Sequence, residues 1–188
     1  GIKDDETIQP EITKLPSSGA LAALSYGTFN VDAPINMAGN SRVLEGQGWG
    51  TLLKATSVID DVIQMKSGAW SELRGLKIDG DGKATTCVNL AQAVSGAYVM
   101  RVSRVYLVKA VTALINMTNS EDSILENSIL NGDNGASDTT SCILITAHGG
   151  FVRLNSNLIL NAASDNILVS GGVPRLVGNG NTLAACGR

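Results

Sequence analysis

Aromatic side chains are scarce in this sequence. Two Trp, three Tyr and two Phe make up 4% of its 188 residues. A core of ordinary size must therefore be aliphatic, and a long stacking platform for a ligand is not evident. Cysteine is nearly as rare. Cys87, Cys142 and Cys186 are too few and too far apart for a disulfide framework or a zinc site, and they do not report a redox compartment. Neither sign of charge dominates: 14 basic and 17 acidic residues give a formal net charge of −3. That excludes a basic stripe for nucleic acid and a polybasic signal for anionic lipid. No run approaches the ~18 consecutive apolar residues of a membrane-spanning helix. Helical periodicity is missing too. Leu21–Leu24 is the one fragment that could be helical, and a strand entering a first coil competes for it.

What is present is glycine (21 residues), 44% hydrophobic residues and a loose internal repeat. Internal repeats decide architecture before other signals do. One series is apolar–x–apolar and then usually a polar residue: Leu76–Asp79, Val105–Val108, Ser128–Asn131 and Leu158–Asn161. Its anchors Ile78, Leu107, Leu130 and Leu160 are 29, 23 and 30 residues apart. A second series pairs Ile63/Met65, Val88/Leu90, Ile115/Met117, Ile143/Ile145 and Ile167/Val169, with steps of 25, 27, 28 and 24. The two interleave throughout, separated by Gly, Ser, Asn, Asp and Thr, which are turn residues. Strands of constant pattern with turns of varying length describe a coiled ribbon whose successive turns stack. The fixed frame of leucine-rich repeats is absent. The expectation is an all-β, single-stranded right-handed parallel β-helix (β-solenoid) of about five to six short coils. It forms a single domain over 1–188, with residues 1–24 as lead-in or cap, 25–178 as coils and 179–188 as tail.

Gly27-Thr28-Phe29, the run Leu44-Glu-Gly-Gln-Gly-Trp-Gly-Thr-Leu-Leu53 and Leu73–Gly80 carry a resemblance. They are similar to the opening coils of right-handed parallel β-helix proteins of the pectate-lyase-like superfamily. That superfamily includes polysaccharide lyases, glycoside hydrolases, epimerases and phage tail spikes, so the resemblance implies a fold and leaves function open.

Aligning Leu44-Glu45-Gly46 with Ile78-Asp79-Gly80 puts Glu45 and Asp79 in one row on adjacent coils, ~4.8 Å apart, with Asp81 close by. Two carboxylates at that spacing suit a retaining glycosidase. The plainer reading is a row of turn residues, Asp79, Asn131 and Asn161 among them, that bond local backbone and stack as an external ladder. Glu121 and Asp122 read as a solvated acidic turn, with Glu126 in a strand. The one histidine, His148, sits in Ala147-His148-Gly149 where pectin-hydrolysing members have Gly-His-Gly, and no Arg-x-Lys follows. The Arg-x-Pro-x-x-Arg of the lyases is also absent. His148 therefore reads as a turn residue. The acidic turns Asp79–Lys83 and Asn131–Asp138 lack the ligand spacing of an EF-hand; a loose surface Ca²⁺ site is the most they offer, and no cofactor or metal is expected.

Trp70 and Tyr106 are the candidate carbohydrate-binding residues; Trp49 either lines an edge or packs over the first coil. The outward positions turn from polar to apolar toward the C-terminal coils, where Ile129, Leu144, Ile159 and Leu168 form a candidate contact surface. A homo-oligomer is expected, and the spikes of the resembling superfamily imply a trimer. Cys87 and Cys142, two coils apart in one column, are expected not to pair. The favoured reading is a non-catalytic structural or glycan- and surface-binding module of a tail spike, fibre or surface appendage, extracellular or on a virion. The alternative is a small polysaccharide-active hydrolase or lyase using Glu45, Asp79 and Asp81.

Overall fold

The computed structural model describes residues 4–16, 18–66, 69–90, 99–118, 122–132, 139–146, 150–172 and 175–187. Three parallel sheets wind into a β-solenoid, the parallel β-helix fold expected from the sequence. Sheet A contains Ser18–Ala23, Asn40–Glu45, Glu72–Arg74, Met100–Ser103, Ser123–Glu126, Phe151–Asn155 and Arg175–Asn179. Sheet B contains Gly27–Val31, Thr51–Ala55, Lys77–Asp79, Tyr106–Val108, Ile129–Asn131, Leu158–Ala162 and Thr182–Cys186. Sheet C contains Ile35–Asn36, Ile59–Gln64, Ala84–Asn89, Ala113–Asn116, Ser141–Thr146 and Asp165–Ser170. Sheets of seven, seven and six strands make six full coils and part of a seventh. The first coil begins at Ser18, inside the expected lead-in, so Leu21 is in a strand. The last strand of sheet B runs to Cys186, so residues beyond 178 continue the solenoid and do not fold back over its side.

Sheet C is the second sequence series. Ile35, Ile63, Val88, Ile115, Ile143 and Ile167 stand in one register. The residues before them, Val62, Cys87, Leu114 and Cys142, are also fully buried. Two consecutive inward residues mark a bend that fills the corner toward sheet B. There the Cys87 thiol donates to the Val108 carbonyl at 3.4 Å, and that of Cys142 to the Leu160 carbonyl at 3.3 Å. All three cysteines are free, as expected for Cys87 and Cys142. Each fully buried aliphatic in such a stack contributes roughly 1.5–3 kcal/mol of transfer free energy.

Sheet A went unrecognised in the sequence because it joins sheet B through a two-residue corner. One residue there takes positive φ: Gly75 (66°), Arg104 (53°), Asn127 (52°), Ser156 (54°) and Gly180 (65°). The next residue turns inward: Leu76, Val105, Ser128, Asn157 or Asn181. The last three form a polar ladder inside the corner. Asn157 Oδ1 accepts the Ser128 N–H (3.1 Å), and its Nδ2 donates to the Leu125 carbonyl (2.9 Å) and to Asn181 Oδ1 (3.0 Å). An external ladder also exists, with Asn161 Nδ2 donating to Asn131 Oδ1 at 2.9 Å.

The missing sheet shifts the register of one strand. In the sixth coil it is Ile159, not Leu160, that pairs with Leu130 in the inward row. Ile159 is fully buried and cannot be a contact residue. Ile129 faces outward on sheet B and Leu144 and Leu168 on sheet C, so the remaining three lie on two different faces. Val169, placed inward by its pattern, is 43% exposed on the edge strand of sheet C among the described residues.

Helix Asp5–Lys14 closes the N-terminal end, with Ile8 and Ile12 buried on the core. Two residues here stand in for a missing strand. The Asp4 backbone N–H donates to the Asn30 carbonyl (2.9 Å), while its carboxylate accepts the Asn30 N–H (2.6 Å). Gln9 likewise accepts the Asn36 N–H (2.6 Å) and donates to the Asn36 carbonyl (3.1 Å).

Candidate functional site

The outward positions of sheet A carry alternating charge. Register aligns Val43, Glu72 and Arg101 in one row and Glu45, Arg74, Ser103 and Glu126 in the other. Arg74 bridges Glu45 at 3.0 Å and Glu72 at 3.3 Å. Arg101 meets Glu126 at 3.6 Å, Arg104 meets Glu45 at 3.9 Å, and the Ser103 hydroxyl donates to Glu72 at 3.1 Å. The Arg74 hydrogen bond holds the Glu45 carboxyl below its ordinary range, with Arg104 reinforcing.

Two hollows border this face. One, of about 240 Å³, is lined by Glu45, Gly46, Gly48, Trp49, Gly75 and Arg104. Its floor is backbone: a side chain at Gly46 would meet the Gly75 carbonyl oxygen at 2.6 Å. The 46–50 loop swings Trp49 across to Tyr106, with ring centroids 5.5 Å apart, and Lys77 Nζ stands 5.0 Å from the Tyr106 centroid. The other hollow, of about 190 Å³, is lined by Trp70, Ser71, Glu72, Val99 and Arg101. Trp70 sits at φ 61°, a conformation that a bulky residue adopts only under constraint, and is 63% exposed. Glu72 of one hollow and Gly75 of the other are about 10 Å apart along an extended chain. Both tryptophans of an aromatic-poor chain are thus exposed beside one charged face.

Trp70 is exposed and Tyr106 faces outward on its strand; that both stand near this face was not legible, because sheet A was not recognised. Trp49 joins Tyr106 although two coils separate them in sequence; the Gly-rich loop was the only signal. The carboxylate row is not assembled. Glu45 pairs in sheet A with Arg74, whereas Asp79 pairs in sheet B with Lys54 and Val108. Both runs end apolar–acidic–Gly, and that likeness concealed their different sheets. Asp79 accepts the Asp81 N–H at 2.9 Å, an aspartate turn. Asp81 is bridged by Lys83 (2.7 Å) and Lys54 (3.4 Å), and the Lys83 contact lowers its pKa. Among the described residues no three His, Cys, Asp or Glu side chains gather as metal ligands. His148, Glu121 and most of the acidic turn ending at Asp138 lie outside the described residues.

One charged group was missed altogether. Asp61 is 2% exposed on the Ile59–Gln64 strand. Its carboxylate accepts Gln64 Nε2 and Asn89 Nδ2, each at 2.8 Å, and pairs with Lys66 at 3.1 Å. The adjacent aspartates Asp60-Asp61, set among Ile59, Val62 and Ile63, were the available signal. Asn89, on the outward side by strand alternation, is 8% exposed and buried in this cluster.

Neither a protein-family model nor a curated protein sequence matches the chain. Solved structures do. The Azotobacter vinelandii mannuronan C-5 epimerase AlgE4 A-module superposes with a TM-score of 0.51 at 13% identity, over 98% of this chain and 85% of that one. The AlgE6 A-module of the same organism gives a TM-score of 0.45 at 13% identity, over 97% and 76%. At this identity the AlgE4 likeness establishes the parallel β-helix fold alone. Among the described residues no helix is long and apolar enough to cross a membrane.

Proposed function

We propose that the chain is a non-catalytic β-solenoid module that binds polysaccharide or a glycan-bearing surface outside the cell and associates with copies of itself. The observation that carries this reading is the exposure of both tryptophans beside the Arg/Glu face of sheet A, with Tyr106 and Lys77 next to Trp49. Exposed rings stack on sugar faces, and arginine forks meet sugar hydroxyls and carboxylates. The acids support a binding role over hydrolysis. A glycosidase needs one carboxyl held protonated near neutrality. Glu45 and Asp81 are shifted the other way by their basic partners. A structural place in a spike or fibre is compatible with the same face. The test is calorimetric titration with neutral and acidic polysaccharides. Binding weakened at least tenfold by Trp49→Ala or Tyr106→Ala supports the reading; no binding across the panel overturns it.

A second reading, a polysaccharide-active enzyme, draws on the name of the AlgE4 neighbour and on Asp61, a buried carboxylate beside Lys66 and two amides. Its test is the appearance of altered, shortened or unsaturated product over the same panel, lost in Asp61→Asn. Turnover abolished by that change would replace the first reading.

A further inference from the structure

Successive coils enter sheet A through the same corner. Ser41, Trp70 and Val99 stand there, two residues before the aligned Val43, Glu72 and Arg101. All three take positive φ, at 55°, 61° and 40°. The corner demands a conformation that glycine and asparagine adopt readily and that is an outlier for a bulky or β-branched side chain. Trp70 and Val99 are thus poor choices for the fold. Both line the hollow of about 190 Å³, beside Ser71, Glu72 and Arg101. Backbone outliers of this kind cluster at ligand-binding surfaces.

The strand Glu72–Arg74 runs from this hollow to the other. Trp70 precedes it, and Gly75, in the lining of the Trp49 hollow, follows it. Leu73 is fully buried, so Glu72 and Arg74 are the side chains this strand presents between the hollows. The charges around them cancel. Glu45, Glu72 and Glu126 face Arg74, Arg101 and Arg104, and each of these six is held in an ion pair. An acidic ligand would have to draw a guanidinium away from its carboxylate. A hydroxyl group would not, because a paired guanidinium keeps N–H donors and a paired carboxylate keeps lone pairs to spare.

We propose that the two hollows are the ends of one binding site, which takes a single uncharged glycan chain laid along the strands of sheet A, with one sugar ring stacked on Trp70 and another on Trp49. The inference rests on the polysaccharide binding proposed above and adds the class of ligand and its orientation. A short sugar occupies one hollow and gains nothing from the other. Once the chain spans the ~10 Å from Glu72 to Gly75, the second contact becomes intramolecular and affinity rises with length.

Calorimetric titration of the whole chain with cello- and malto-oligosaccharides, from disaccharide to octasaccharide, tests it, with oligouronates of the same lengths as the acidic comparison. The expected result is an uncharged octasaccharide bound at least tenfold more tightly than its disaccharide, with little dependence on salt. Trp70→Asn removes the ring and suits the positive φ, so the fold is kept. It should bring the octasaccharide down to the affinity of the disaccharide. As a second readout on the unaltered protein, the octasaccharide should protect both tryptophans from oxidation by N-bromosuccinimide, read by peptide mass spectrometry with one midpoint for the two. Octasaccharide binding unchanged in Trp70→Asn, or Trp70 oxidised at saturation, overturns the inference and leaves polysaccharide binding standing. Oligouronates bound more tightly, with an affinity that falls as salt is added, do the same. No binding by any of these ligands overturns both.

Discussion

Replacing Asn89 by Asp changes one atom type at a position whose alternation alone assigns it to the solvent side. In the structure the side chain is 8% exposed, and its Nδ2 donates to Asp61 Oδ1 at 2.8 Å. The substitution removes a hydrogen bond to a charged group, worth about 1.5–3 kcal/mol. It also sets two carboxylates against each other. Two like charges ~4 Å apart repel by about 4 kcal/mol at an effective dielectric constant of 20, so one of the pair retains a proton. Lys66, already 3.1 Å from Asp61, offsets part of this. The net loss at pH 7 should be about 2–5 kcal/mol. Its pH dependence has a definite sign. The proton-retaining carboxyl has a folded-state pKa above its unfolded value. Its favourable state is therefore fully present below the unfolded pKa and is lost as pH rises through the folded one. Urea unfolding at pH 5 and pH 8 should show the smaller deficit at pH 5, while Asn89→Ala should lose a similar amount at both. An Asn89→Asp variant within about 0.5 kcal/mol of the parent at pH 8, the range of an ordinary surface change, would refute the reasoning.

Three further outcomes are expected. Asn157→Leu should cost about 2–5 kcal/mol by urea unfolding, since it leaves the buried Ser128 N–H and Leu125 carbonyl without their partner. At pH 8 a maleimide should label one thiol per native chain, Cys186, and three after denaturation; burial pushes the Cys142 thiol up to about 12 and that of Cys87 up further. Arg74→Met should raise the Glu45 titration midpoint, followed by carboxyl NMR. Because the Glu45 pKa is depressed in the parent, the stability from this pair is present above the ordinary glutamate value and lost as pH falls through the lowered one, a loss the variant should lack.

How much of this was legible depends on where the turns are long. Sheet C could be read strand by strand because variable segments isolate each strand and Ile, Val and Ile recur in the same frame. Sheets A and B could not be separated, because Gly75, Arg104, Asn127 and Ser156 each turn the corner as a single residue at positive φ. An Asn or a Gly announces such a corner; Arg104 and Ser156 do not. The misread register followed directly. Glu45 and Asp79 share a local pattern and stand on different sheets, and Ile159 moved from the surface to the core by one position.

Exposure was harder to read than direction. Alternation says which way a side chain leaves the strand and does not say what lies above it. Asn89 and Asp61 are the clearest cases: they pair across adjacent coils and are buried all the same. The aromatic site shows the opposite situation. Tyr106 was legible as outward from its strand alone, but its neighbour Trp49 arrives on a loop whose three glycines at 46, 48 and 50 do not say where the loop crosses. A solenoid displays one row of each sheet in every repeat, so the sequence carries the rows well. The site is assembled where a loop crosses between rows, and the repeat holds no record of that crossing. The same reasoning applies at the ends. Asp4 and Gln9 belong to no row, yet they take up the backbone groups of Asn30 and Asn36 at the edges of sheets B and C.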